Sequence, residues 1–130
     1  MSAYTPAQVV EETGLSIDTL RYYEKIGLLD PVDRDAAGRR RFTDHHLEQL
    51  SVATCLRESG MPVADVARYA DLVRAGDHTI DQRVQLLEQH AERVRAHIES
   101  LRDQQRYIQR KIAYYRSYQA AETVDSAAVG

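Results

Sequence analysis

The chain has 130 residues, 43% of them hydrophobic and 28% charged, with eight tyrosines, one phenylalanine and no tryptophan. That composition belongs to a folded chain and not to a disordered one, and the length suits one small domain plus an extension. Seventeen basic against twenty acidic residues give a net charge of −3, so any affinity for polyanions has to come from local charge.

No run approaches the ~18 unbroken apolar residues of a membrane span, and the segment MSAYTPAQVVEETG lacks the basic and apolar regions of a secretion signal. A single cysteine excludes an intramolecular disulfide and a multi-cysteine zinc site, and a cytoplasmic setting follows as the expectation.

Glycine and proline punctuate the first 76 residues and are then absent until residue 130. The shift predicts a front domain over 1–76, a long element over 77–119 and a flexible tail over 120–130. The first helix is read from Thr5, with Pro6 at its first position, Gln8 in the place of a capping-box acceptor and Gly14 at its end. A second runs from near Ser16 through TLRYYEK to Gly27, and two short helices with a tight link form a helix-turn-helix pattern.

Between Leu28 and Phe42 the turn formers Pro31, Asp33, Asp35 and Gly38 predict two short strands, near Leu28–Leu29 and Arg40–Phe42, joined as a wing. A third helix opens at Thr43 and closes before Gly60; a fourth covers about Val63 to Arg74, with Asp65 favouring its start.

From Ile80 the apolar residues Val84, Leu87, Ala91, Val94, Ile98, Leu101, Ile108, Ile112 and Tyr115 recur in alternating steps of four and three. This is a heptad seam of about five heptads. Thr79 and Gln82 read as a capping box at its start. A helix of roughly 60 Å cannot be covered by a small domain, so its stripe requires a partner, and a second copy is the simplest one. Gln105 takes one seam position; it either sets register or lies past the paired region.

The second helix carries Asp18, Arg21, Tyr22 and Lys25 on one face, and Arg39, Arg40 and Arg41 form a basic run in the wing. Guanidinium groups reach base edges or phosphates, and a tyrosine hydroxyl donates to phosphate, so this face suits a DNA groove. The competing reading is a solvated polar face.

LSIDTLRYYEKIGLLDP, then GRRRFTDHHLEQL, then LRESGMPVADV resemble the MerR family of bacterial transcription regulators. The resemblance implies a mainly α fold, a winged helix-turn-helix followed by a long antiparallel coiled-coil dimerisation helix. It implies a homodimer on pseudo-palindromic promoter DNA with an over-long spacer. The dimer bends and untwists that DNA so that RNA polymerase engages both of its recognition elements, a form of indirect readout.

Carried over by position, the DNA contacts fall on Thr19, Arg21, Tyr22 and Tyr23 in the second helix and on Arg40, Arg41 and Phe42 in the wing. Tyr23 is open between a DNA contact and packing beneath the helix. Arg39 stands where the family has an aromatic residue and supplies charge instead, and Phe42 lacks the hydroxyl of the family's tyrosine.

Cys55, in ATCLRESGM, resembles the cysteine of a branch that senses aldehydes, other electrophiles or nitrosative stress; the GDHTIDQR and KIAYY segments resemble that branch too. Such a role needs an exposed thiol beside a cation such as Arg57; the alternative is a buried, inert side chain. His90 and His97 lie ~10.5 Å apart along one helix. All the histidines are read as surface residues, and no metal or cofactor is implied.

Tyr69, Tyr107, Tyr114, Tyr115 and Tyr118 either line a cleft for a small hydrophobic ligand or pack the coiled-coil end. No nucleophile–base pair or phosphate loop suggests an enzyme. A coiled-coil protein adaptor and an architectural DNA bender are the rival classes.

Overall fold

The computed structural model describes residues 3–129, with side chains through 124. It divides into two units, residues 1–90 and 91–130.

In the front unit the chain order is β1 (Ala3–Tyr4), α1 (Pro6–Thr13), α2 (Ile17–Lys25), β2 (Asp33–Arg34), β3 (Arg40–Thr43), α3 (Asp44–Glu58) and α4 (Val63–Ala75). A 3-10 turn (Asp77–Thr79) and the start of α5 (Ile80–Val129) complete it. The strands form one antiparallel sheet in the order β1-β3-β2, with Tyr4 opposite Phe42, Asp33 opposite Arg41 and Arg34 opposite Arg40.

Local chemistry sets the helix ends. The Thr5 N–H donates to Gln8 Oε1 at 2.8 Å and the Gln8 N–H to Thr5 Oγ1 at 3.2 Å, a complete capping box ahead of Pro6. Gly14 ends α1 at φ +74. Ser16 Oγ accepts the Thr19 N–H at 3.1 Å and opens α2.

The core gathers Val9, Leu20, Leu28, Leu29, Phe42, Leu50, Met61 and Val66, all but inaccessible. Burying such side chains stabilises the unit by about 1.5–3 kcal/mol each.

Three expectations are corrected. Leu28 and Leu29 form no strand: both are buried, at 2% and 1% exposure, and both N–H groups donate to the Tyr23 carbonyl. Strand residues alternate faces, so two adjacent buried leucines fit a turn under the core instead. The partner of β3 comes later, at Asp33–Arg34, and β1 went unforeseen because two residues carry no periodicity.

Thr79 caps nothing. It lies in the 3-10 turn, where its hydroxyl donates back to the carbonyls of Leu72 and Gly76 at 2.6 and 2.8 Å.

His46 and His90 are buried, each 6% exposed. His46 Nδ1 accepts the Thr43 N–H at 3.0 Å while Nε2–H donates to the Pro31 carbonyl at 3.2 Å, so the imidazole serves as the acceptor of a capping box for α3. His90 Nε2 meets Ser59 Oγ at 2.8 Å, and the serine hydroxyl donates to the Cys55 carbonyl at 2.8 Å.

The expected tail is helical in its described part, through Val129, since AETVDSAAV contains no helix breaker; Met1, Ser2 and Gly130 lie outside the described residues.

Every side chain from Arg95 to Val124 is exposed, among them Ile98, Leu101, Ile108 and Ile112 of the seam. Several side-chain bonds of α5 in this stretch are local. Arg95 pairs with Glu92 and Glu99, and Arg106 with Asp103, three or four residues apart. Solvent screens exposed pairs of this kind, and they add little stability.

Candidate nucleic-acid interface

The sheet and the first two helices build a basic cleft. α2 buries Leu20 and Tyr23 and turns Arg21 and Tyr22 outward, with Tyr22 50% exposed. The wing is the β2–β3 hairpin, and Asp35 shapes its tip. Asp35 Oδ1 accepts the N–H groups of Ala37 and Arg39, both at 2.9 Å, and its carbonyl accepts from Gly38, which sits at φ +81. The Arg39 N–H holds the Asp35 carboxyl below its ordinary value; burial opposes it, and the Ala37 N–H and the charges of Arg39 and Arg41 add to the lowering.

The wing faces the amino-terminal part of α2 across a cleft of about 400 Å³, bordered by Arg21, Arg34, Arg39 and Arg40 over a floor of Ile17, Leu20 and Phe42. Four guanidinium groups around one cleft concentrate positive potential in a chain of net charge −3.

The arginines differ in freedom. Arg40 Nη1 lies 3.4 Å from Glu24 Oε2, a pair that joins wing to α2. Arg34 Nη1 donates to the Gly38 carbonyl at 2.8 Å, bracing the tip. Arg21, Arg39 and Arg41 form no ion pair among the described residues and are exposed.

The sequence-derived site residues therefore separate. Arg21, Tyr22, Arg39 and Arg41 are outward, and Arg40 is half-buried beside them. Thr19 is half-buried, its hydroxyl 2.9 Å from Ser16 Oγ within the helix cap. Tyr23, 8% exposed, packs in the core, and so does Phe42, edge-on to His46 with ring centroids 5.8 Å apart. A buried Phe42 makes its missing hydroxyl immaterial to a phosphate contact.

Arg34 escaped the sequence reading. The signal was the register: once β2 is placed at Asp33–Arg34, the antiparallel pairing sets Arg34 directly across from Arg40 on one face.

Cys55 lies away from this cleft. It is exposed, in a groove with Glu12, Ser51, Thr54 and Glu58. Arg57, expected to favour its thiolate, instead donates to the Met61 carbonyl at 2.8 Å. Among the described residues no three His, Cys, Asp or Glu side chains gather as a metal site would require, and no helix is long and apolar enough to cross a membrane.

Known proteins share this arrangement. Residues 4–72 match the model of the MerR HTH family regulatory protein, and residues 47–111 that of the MerR DNA-binding region. An uncharacterised HTH-type transcriptional regulator of Haemophilus influenzae is 40% identical over 121 residues, covering 93% of this chain and 90% of its own.

The chain belongs to the MerR family.

As a MerR-family transcriptional regulator it has solved relatives over nearly its full length. The crystal structure of HiNmlR, a MerR family regulator lacking the sensor domain and bound to promoter DNA, superposes with a TM-score of 0.83 at 39% identity, over 92% of this chain and 94% of that one. A MerR family regulator from Listeria monocytogenes superposes with a TM-score of 0.88 at 28% identity, over 97% of each chain. The HTH-type regulator AdhR of Bacillus subtilis is 33% identical over 88 residues, 68% of this chain and 63% of its own.

Proposed function

We propose that this MerR-family regulator acts in the cytoplasm, without catalysis, as a homodimer that binds and distorts a pseudo-palindromic promoter. Support for the DNA face comes from one observation above the others: Arg21 of α2 and Arg34, Arg39 and Arg40 of the wing border the same cleft. Arg21 and Tyr22 are assigned to the groove and its edge, with Thr19 closing the start of α2. Arg39, Arg41 and, through its free edge, Arg40 are assigned to flanking phosphates. Tyr23 is assigned to the core and not to DNA.

Support for the dimer is the bare seam of α5, whose exposed Ile98, Leu101, Ile108 and Ile112 need a second helix. Paired α5 helices would set two front units on successive half-sites. Phosphate contacts at both ends would offset the cost of bending and untwisting the spacer for RNA polymerase.

Footprinting on DNA directly upstream of the protein's own gene tests this reading. Protection of two half-sites with a hypersensitive centre is the expected pattern; protection without central distortion would leave a simple binder. Each of Arg39→Gln and Arg41→Gln should reduce the slope of log affinity against log salt by about 0.9 per protomer.

Cys55 is the proposed sensing residue, supported by its exposed thiol. Cys55→Ser should abolish induction by an aldehyde or a thiol oxidant and leave DNA affinity unchanged; unaltered induction would reject the assignment.

A further inference from the structure

The exit of α2 is held by a charged cluster that the arginine cleft does not include. Gly27 leaves the helix at φ +82, a conformation natural to glycine, and its carbonyl accepts from Arg74 Nη2 near the far end of α4. The same guanidinium donates from Nη1 to Asp30 Oδ1 at 3.0 Å and from Nη2 to Asp71 Oδ1 at 2.6 Å. Asp30 holds His45 Nε2 on its other oxygen at 2.8 Å, and its backbone N–H donates to Gln49 Oε1 at 3.0 Å. One guanidinium and one carboxylate thus join the exit of α2 to both α3 and α4.

The contact is close as well as polar. A Cβ on Gly27 would stand 3.2 Å from Arg74 Nη2. An isolated pair at this exposure, with the Arg74 side chain 31% accessible, would add little stability. Its value lies in geometry: a planar fork spanning a backbone carbonyl and two carboxylates fixes direction in a way a lone point charge cannot. With two carboxylates beside it, Arg74 also adds little to the field that attracts DNA.

We propose that Arg74, through Asp30, is a positioning residue for DNA recognition. It sets how α2 leaves the core, and so where Arg21 and Tyr22 point, without touching DNA. The inference rests on the DNA-binding reading above. Base readout requires aligned donors and acceptors, whereas phosphate neutralisation tolerates small displacements. Loss of the clasp therefore weakens specific binding and spares non-specific binding.

The test uses the full chain, with DNA from directly upstream of its own gene and a random fragment of equal length, across roughly 50–200 mM salt. Arg74→Gln is expected to weaken binding to the upstream DNA about tenfold, near 1.4 kcal/mol. Affinity for the random fragment and the salt slope should stay at wild-type values. Asp30→Asn should do the same, and the double substitution should be no worse than either single one, as a shared clasp requires. Arg74→Lys keeps the charge without the fork and should not rescue.

A slope reduced by about 0.9 per protomer would make Arg74 a phosphate contact and overturn the proposal. So would equal losses on both fragments, or single losses that add. Should Arg74→Gln fail to fold by circular dichroism, Asp30→Asn decides alone: a selective loss supports the proposal and an even loss or none rejects it. Wild-type protein without salt-dependent binding to either fragment would remove the DNA reading, and this inference with it.

Discussion

Residues 1–90 and residues 91–130 handle their apolar side chains in different ways. The front unit buries Leu20, Leu28, Leu29, Phe42 and Leu50 among five helices and a three-stranded sheet. The rear unit buries no side chain between Arg95 and Val124, although its seam carries Ile98, Leu101, Ile108 and Ile112. A unit with its own core folds by intramolecular contacts; a lone amphipathic helix gains most of its stability from whatever covers its stripe. Architecture here divides the labour: the front unit carries chemistry for DNA, and the rear unit carries an obligation to associate.

The largest effect should come from breaking the rear alone. Leu101→Lys combined with Ile108→Lys places like charges in the seam. Sedimentation should then return a particle of 14.8 kDa, with helix content reduced. Operator affinity should fall by about 10²–10⁴-fold as the second half-site is lost, while the near-ultraviolet signal of the front unit persists. An intact dimer after this change would sink the assignment of the seam.

The converse breaks the front and leaves the rear. Phe42→Ala removes the largest fully buried side chain, at a cost of about 3–5 kcal/mol, read as a lowered denaturation midpoint of the front unit. A midpoint within ~1 kcal/mol of wild type would mean that Phe42 is less central than its burial implies.

A smaller effect sharpens the contrast through pH. Burial raises the Asp30 carboxyl, but hydrogen bonds from Gln49, Arg74 and His45 and the charge of Arg74 together outweigh it, so the group lies below its ordinary value. A depressed carboxyl contributes stability that is fully present above its unfolded pKa of about 3.9 and is lost as pH falls through the lower folded value. The urea midpoint of wild type should exceed that of Asp30→Asn at neutral pH, and the gap should close in acid below about pH 4. A gap that is the same in strong acid would contradict the role assigned to the carboxylate.

The smallest change is at the α3 cap. His46→Ala should cost about 0.5–2 kcal/mol, and His46→Gln less, because an amide oxygen can take the Thr43 N–H in place of Nδ1. Equal losses for the two would place the cost in packing against Phe42 instead.

Features that depend on neighbours three or four residues apart were open to reading from the amino-acid order. The capping box of Thr5 and Gln8, the cap of Ser16, the helix of α3 from Thr43 and the seam of α5 are all short-range patterns, and each can be read from spacing alone. The outward placing of Arg21 and Tyr22 on α2 was legible for the same reason, and Arg39, Arg40 and Arg41 were legible as a contiguous basic run.

Features that join residues far apart along the chain needed the fold. Leu28 and Leu29 became a buried turn because a core waited above them, which displaced the wing strand to Asp33–Arg34. Tyr23 went inward, and His46 left the surface to meet Pro31, 15 residues away. Arg34 joined the cleft through strand register, and Arg74 reached Gly27 across 47 residues. A local pattern can state that a side chain is able to donate, accept or be buried. The folded chain alone brings the distant partner within hydrogen-bonding reach, because that proximity is the product of packing every element at once.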